Sequence, residues 1–280
     1  MQRTNPKLSI IITSYQNPEL LRLCLESIKK NAKDLEYETI VADSSTGEQT
    51  YDLFKEDFKE TLFIPNQKNK GFGGLVNQGL KKAKGDFLFI INADIIIKDN
   101  AIKKLLEFIE KDDTVGIVAP KLINFDNSVQ QSCFRLYSLL TIIYRRTFLG
   151  RMSFAKKHLA NFLMKKEQKL GNIFDADWVM GSAMMTRRKA VDKIGPYDKR
   201  YFMYFEDVDW CRRFWESGYR VVYNPKVKVF HYHGRASASR NAFSSVLFNK
   251  YTRAHISSSI KYFIKFAGKK NPHIEFNQGN

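Results

Sequence analysis

Apolar runs and amphipathic segments alternate along the first 120 residues. Leu8–Ser14 (LSIIITS) is β-branched and apolar almost throughout, as expected of a strand buried on both faces. Asn17 and Pro18 supply a helix N-cap and a proline at the first helical position. Leu21, Cys24, Leu25 and Ile28 then share one helical face. Tyr37–Ala42 reads as a second strand ending at Asp43, Tyr51–Phe58 as a helix, and Thr61–Ile64 as a third strand. The turn Gly71-Phe72-Gly73-Gly74 opens a helix running to about Ala83. Phe87–Ile91 is a fourth strand ending at Asn92-Ala93-Asp94, Ala101–Ile109 a helix and Val115–Ala119 a fifth strand. Such alternation predicts an α/β fold, a mostly parallel sheet with helices on both faces. Ligands of these sheets sit beyond the carboxyl ends of the strands. Thr13-Ser14-Tyr15, Asp43-Ser44-Ser45 and Asn92-Ala93-Asp94 all fall there, and together they define one expected nucleotide crevice.

The second half has a different texture. Residues 136–170 are basic and apolar without strand alternation. Ile173–Met185 reads as a strand pair, Glu206–Glu216 as a helix, and Tyr219–Tyr223 and Val227–Tyr232 as strands. From Ser244 onward the pattern is that of a basic amphipathic helix. The expected organisation is a domain over 1–240, with halves at 1–120 and 121–240, followed by a C-terminal segment at 241–280. No internal repeat or low-complexity tract interrupts it.

A chain of 280 residues with 44% hydrophobic and 27% charged positions has ordinary globular usage, which excludes wholesale disorder. Cys24, Cys133 and Cys211 are odd in number and far apart, so they make neither a disulfide framework nor a CxxC metal site and point to a reducing compartment. No stretch reaches 18 apolar residues, and the N-terminus carries no apolar run of signal-peptide length. The net charge of +17 is local. Asn127–Lys166 holds eight Lys and Arg and no acid, and Ser217–Ile274 holds eleven and no acid. Local basic surface attracts polyanions such as nucleic acid, anionic lipid or a diphosphate, or else serves as a solvated face. Leu139, Leu140, Ile142, Ile143, Tyr144, Phe148 and Leu149 lie beside Arg145, Arg146 and Arg151, a mixture that suits a membrane surface. Toward the C-terminus Ile256, Ile260, Phe263, Ile264 and Ala267 recur at helical spacing among Lys261, Lys265 and Lys269. That stripe is expected to meet anionic lipid; the alternative is that it packs on the body of the protein.

Four clusters carry chemistry. Gly71 and Gly73 fit the start of a G-x-G-x-x-G fingerprint, but Val76 fills its third position, leaving a ligand-facing turn or a tight helix start. Asp94 follows an apolar strand. Such a carboxylate either binds a divalent cation bridging to a diphosphate or caps the next helix. Phe202–Asp209 places Glu206, Asp207 and Asp209 behind four bulky side chains, either as acids favoured by a helix dipole or as a pocket floor. His231 and His233 share one side of a strand, as a metal ligand or as structural histidines.

In order, LSIIITSYQNPELLRLCLESI, Asp43-Ser44-Ser45, NKGFGGLVNQG at 69–79, Asn92-Ala93-Asp94, Trp178-Val179-Met180-Gly181, YFMYFEDVDWCRR at 201–213 and His231-x-x-Gly234 make up a series. The series resembles family 2 glycosyltransferases of the Rossmann-like GT-A fold over about residues 8–240, and within them the bacterial rhamnosyltransferase-like branch. QSCFR at 131–135 and RRTFLG at 145–150 resemble that branch too. The resemblance implies that Thr13, Tyr15 and Asp43 hold the nucleoside. Asn69, Gly71, Phe72, Asn77, Asn92, Trp178 and Gly181 would line the sugar-nucleotide site. Asp94 and His231 would bind Mg²⁺ or Mn²⁺, and Asp207 beside Glu206 would act as general base. Asn92 stands where the family's Asp-x-Asp motif begins. The implied reaction is inverting transfer from a dTDP- or UDP-sugar to a saccharide acceptor, lipid-linked, in cell-surface polysaccharide (O-antigen) synthesis. The enzyme would be peripheral on the cytoplasmic face of the cell membrane. Three rival classes weigh less. A nucleic-acid-binding protein lacks an RRM-type or zinc-finger pattern here. A nucleotidyltransferase expects a glycine-rich basic loop where Ser14-Tyr15-Gln16-Asn17 stands. A catalytically silent scaffold has no need of Asp94 and Asp207.

Overall fold

The computed structural model describes residues 5–232 and 250–279. Strands β1 (Leu8–Tyr15), β2 (Tyr37–Ser44), β3 (Leu62–Asn66) and β4 (Phe87–Asn92) lie parallel in the order β3-β2-β1-β4. Their apolar runs are buried on both faces: Ile10, Ile11, Ile12, Ile40, Val41, Ile90 and Ile91 are fully enclosed. Helix α1 (Pro18–Asn31) begins as its sequence dictates, with the Asn17 side chain accepting from the Leu20 N–H and proline at the first turn. Helices α2 (Glu48–Glu56), α3 (Phe72–Lys82) and α4 (Ala101–Glu110) complete the alternation.

Beyond β5 (Ile95–Ile96) and β6 (Val115–Ile123) the sheet becomes mixed. β10 (Ala183–Arg187) runs antiparallel between β4 and β6, and β11 (Arg220–His231) continues the sheet beyond β6. The expected pair of strands at 219–232 is therefore one strand. Pro225 cannot donate to the ladder, so the register shifts between Asn224 and Lys228 while the strand runs on. Short strands β7 (Cys133–Phe134), β8 (Phe174–Asp175) and β9 (Trp178–Val179) frame the basic insert. That insert is helical: α5 (Leu139–Arg146), a 3₁₀ turn at Phe148–Arg151, α6 (Ser153–Phe162) and α7 (Lys165–Leu170). Helix α8 (Arg188–Ile194) precedes the acidic helix α9 (Glu206–Glu216).

The C-terminal helices α10 (Lys250–Lys265) and α11 (Pro272–Gly279) pack on this body. Tyr262 and Phe266 are buried in the core that holds Trp210, Phe214 and Trp215 of α9. Lys265 pairs with Asp209, whose side chain is fully buried, and with Asp198 at 2.9 Å. Asp177 is sealed by His273 Nδ1 and the Asn271 amide, both at 2.6 Å, together with Arg135. The expectation for this segment is thus corrected in part. Lys265 faces buried carboxylates and Lys261 donates to the Arg200 carbonyl, so neither is turned to lipid. Phe263 is half-buried against the core, whereas Ile256, Ile260 and Ile264 remain exposed at 39, 53 and 73%. Residues 244–249 and His233 lie outside the described residues.

Candidate active site

A cleft of about 240 Å³ opens at the carboxyl ends of β1 and β4. Thr13, Tyr15, Asn69, Gly71, Phe72, Asn92 and Asp94 line it, with Met203 and Tyr251 above. The Thr13 hydroxyl donates to Asn92 Oδ1 at 3.0 Å, so the amide replacing the family's first acid is engaged by the strand beside it. Asn69 accepts from the Gly71 N–H at 2.8 Å and closes the turn before α3. Gly71 has φ +71°, and a Cβ there would collide with the Phe202 carbonyl oxygen. This glycine is required both by its left-handed backbone and by the close approach of the 202 segment.

Asp43 does not line the cleft directly. It is buried at the end of β2, and both its carboxylate oxygens lack a hydrogen-bond partner. The Ser14 hydroxyl beside it in register is likewise buried and unpartnered. A buried carboxylate without donors is costly, so this position suits a ligand N–H arriving from outside.

Asp94 and His231 are joined by the fold. The antiparallel pairing of β5 with β11 sets His231 opposite Ile95, and the Tyr232 N–H donates to the Asp94 carbonyl at 2.9 Å. Gln130 Nε2 donates to the His231 carbonyl, which turns Gln130 Oε1 toward His231 Nδ1 at 2.7 Å. Nδ1 therefore carries a proton toward Gln130, and Nε2 lies 3.3 Å from Asp94 Oδ1. That oxygen is buried without a hydrogen-bond partner. An imidazole nitrogen and a carboxylate oxygen this close are both groups that a divalent cation accepts as ligands. No group of three His, Cys, Asp or Glu residues that could hold a metal ion occurs among the described residues.

A second cavity, of about 490 Å³, lies behind this cleft and contains Trp178, Glu206 and Asp207. Phe72 of the first cleft abuts Gly181, where a Cβ would strike its ring, and the Gly181 N–H donates to Asp207 at 3.2 Å. Phe72 and Gly181 thus stand between the first cleft and Asp207, and Tyr251 lines both cavities. Tyr204 and Phe205, both with φ near +68° (68° and 67°), turn the chain sharply into α9 and present Glu206 and Asp207 together. Burial raises the Asp207 carboxyl to about 6, against the hydrogen bonds from Gly181 and Val208 that favour its charged form. Glu206 is pushed well above the carboxylate range by burial and by Asp207 beside it, and one of its oxygens is unpartnered. Both neighbouring carboxyls are thus shifted toward their protonated forms, Asp207 to about 6 and Glu206 in the same direction. On the opposite wall His255 is lowered to about 4 by burial and by Arg146 and Arg145.

Ten of the fourteen expected site residues line these two cavities, and Asp43, Gly181 and His231 adjoin lining residues. Trp178 belongs to the second cavity rather than the sugar-nucleotide cleft, and its indole N–H donates to the Arg135 carbonyl at 2.8 Å. Asn77 departs from expectation. Its amide is consumed by the backbone of Tyr197, two bonds of 2.9 Å, and it faces a separate groove. Sequence reasoning missed Gln130, Tyr137, His255 and Tyr251. Gln130 sits just before the QSCFR stretch, but nothing in its spacing shows that it orients His231.

The mixed sheet, the cleft at its carboxyl edge and the Asp–His pair beside it define a GT-A glycosyltransferase fold. Residues 9–195 match glycosyl transferase family 2, and the chain belongs to that family. It is 24% identical over 239 residues to N-acetylglucosaminyl-diphospho-decaprenol L-rhamnosyltransferase of Mycobacterium tuberculosis, covering 80% of this chain and 76% of that one. It is 24% identical over 265 residues to the rhamnosyltransferase WbbL of Escherichia coli K12, covering 91% and 92%. Among solved structures it superposes on a Pyrobaculum calidifontis mannosyltransferase in complex with GDP-Man and Mn²⁺ with TM-score 0.56 and 14% identity, over 99% of this chain and 80% of that one. It matches GalNAc-T7 with UDP, GalNAc and Mn²⁺ at TM-score 0.61 and 16% identity, over 83% of this chain and 45% of that one. The protein is a glycosyltransferase.

Proposed function

We propose that this enzyme moves a sugar, rhamnose in the first instance, from a nucleoside diphosphate to a lipid-linked saccharide acceptor with inversion at the anomeric carbon. The observation that carries this is the division of labour across Phe72 and Gly181. A cation-suited Asp94–His231 pair lies in the first cleft, and a carboxylate poised near neutrality lies in the second. Thr13, Tyr15 and the gap around Asp43 receive the nucleoside. A bound Mg²⁺ or Mn²⁺ would neutralise the leaving diphosphate. Asp207 takes the acceptor hydroxyl proton as that oxygen attacks the anomeric carbon. Glu206, raised by burial and by Asp207 beside it, favours its neutral form there. One base and one displacement suffice, and inversion follows.

The acceptor's lipid places the enzyme at a membrane. Exposed Ile256, Ile260 and Ile264 on α10, with Leu139, Leu140 and Ile143 on α5 and Phe148 at 76% exposure, provide apolar contacts beside basic side chains. No described helix is long and apolar enough to cross the membrane.

The test is direct. Purified enzyme is incubated with dTDP-rhamnose, or a panel of dTDP-, UDP- and GDP-sugars, with Mn²⁺ and sugar-diphosphate-lipid acceptors. Acceptor-dependent nucleoside diphosphate release and an inverted product by NMR are expected. No acceptor-dependent release with any donor overturns the reading.

A further inference from the structure

The second cavity is larger than a general base needs, and the wall facing Asp207 is cationic. Arg145 and Arg146 end α5 and line it. Arg145 Nη1 donates to the Tyr137 hydroxyl at 2.9 Å, and its guanidinium lies 6.0 Å from the Tyr137 ring centre and 5.7 Å from that of Phe162. That leaves most of its donor fork uncommitted. Neither arginine forms an ion pair with a carboxylate among the described residues. Glu206 and Asp207, the acids that share the cavity, form no ion pair with them, and burial raises both carboxyls. His255 stays uncharged between them, so it adds no third cation.

The surroundings are ordered. Asp207 adjoins Phe205 through Glu206, and Phe205 packs on Tyr137 with ring centres 4.9 Å apart. Tyr137 in turn stacks on Trp178 at 5.7 Å and carries Arg145. Outside the arginines, α5 exposes Leu139, Leu140 and Ile143. Across the surface this reads carboxylate, aromatic platform, two guanidinium groups, apolar helix. It matches the order hydroxyl, sugar, diphosphate, lipid. We infer that Arg145 and Arg146 form a subsite for the diphosphate that joins the acceptor sugar to its lipid. Arginine's planar fork suits phosphate oxygens, and a charge-assisted pair of this kind fixes the sugar's distance from Asp207. The inference rests on the second cavity being the acceptor's, as proposed above.

The probe is citronellyl diphosphate, which has the diphosphate and a short lipid but no sugar. It is titrated calorimetrically in EDTA, so that no cation is available to draw it into the donor cleft. Wild type is expected to bind it and to ignore citronellol. Arg145→Gln/Arg146→Gln is expected to bind roughly a hundredfold more weakly, as the loss of charge-assisted hydrogen bonds implies, with an unchanged unfolding midpoint. Asp94→Ala is expected to bind as wild type does. Equal binding by the double variant overturns the subsite, as does loss of binding in Asp94→Ala, which would place the probe in the donor cleft. If the double variant keeps the probe but no longer sediments with phosphatidylglycerol vesicles, the arginines serve membrane headgroups and the inference falls. Failure of glycosyl transfer by the wild type would sink the proposed reaction, yet the titration would still report on the subsite.

Discussion

Asp207→Asn should make the protein more stable at neutral pH while removing its activity. The carboxyl titrates near 6 in the folded protein and near 3.8 in an unfolded chain. A raised acid pKa means that folding favours the protonated form. The group's contribution to stability is full below about 3.8 and is lost as pH rises through about 6. At pH 7 the ionised carboxylate therefore costs about 3 kcal/mol, from roughly 2.2 pH units at 1.36 kcal/mol each. Asparagine is neutral at every pH and escapes that cost. It has one acceptor oxygen where Asp207 uses two, toward Gly181 and Val208, and losing one such bond costs about 1 kcal/mol. A net gain of about 1–2 kcal/mol remains at pH 7, a rise in Tm of about 3–6 °C. Thermal unfolding of both proteins from pH 4 to 8 checks it. The gain should shrink as pH falls and vanish, or reverse, near pH 4. Transfer should drop by roughly 10²–10⁴-fold, and wild-type turnover should decline as pH falls through about 6. A variant less stable than wild type at pH 7, or a gain independent of pH, would refute the account of Asp207 as a desolvated base.

Asp94→Ala and His231→Ala should each abolish metal-dependent binding of a nucleoside diphosphate by calorimetry. Gln130→Leu should weaken it roughly 10–100-fold, because the imidazole loses the partner that fixes its tautomer. Gly71→Ala should lose donor binding through strain at φ +71° and collision with Phe202, read as a large rise in donor KM. Lys265→Met leaves the buried Asp209 with Arg213 at 2.8 Å as its remaining cation. It should cost about 2–4 kcal/mol in urea unfolding, with Asp209→Asn in the same chain recovering part of it. Replacing Ile256, Ile260 and Ile264 together by aspartate should abolish sedimentation with anionic vesicles at unchanged Tm; retained binding would place the membrane contact elsewhere.

The first 120 residues were legible because their information is local. Two-sided burial makes a strand apolar throughout, Asn17-Pro18 starts α1 unaided, and polar residues at strand ends fall where a parallel sheet puts ligands. The second half carries its signals across long separations. Gln130 meets His231 101 positions away, and Asn77 meets Tyr197 120 away, so neither partnership leaves a spacing to read. Asn224-Pro225 has the composition of a strand break, yet the β6 ladder carries β11 through it. The stripe on α10 was legible as a pattern but not in its direction. Tyr262 and Phe266, one helical turn apart, meet the core, and the isoleucines face outward. The wall of the second cavity was visible only as basic and apolar composition, because α5 and α10 come together there solely in the folded chain.

The clasp made by α10 and α11 also ties residues 262–273 to the helix that carries Asp207. Asp209 sits on the helix that carries Asp207 and Asp177 lies close by, and the groups that pair with and cover them include Lys265, Asn271 and His273. A chain shortened before Lys265 would leave Asp209 with Arg213 as its ion-pair partner and Asp177 without His273 and Asn271, so the helix that carries Asp207 would lose part of its support while the strands around the first cleft keep theirs.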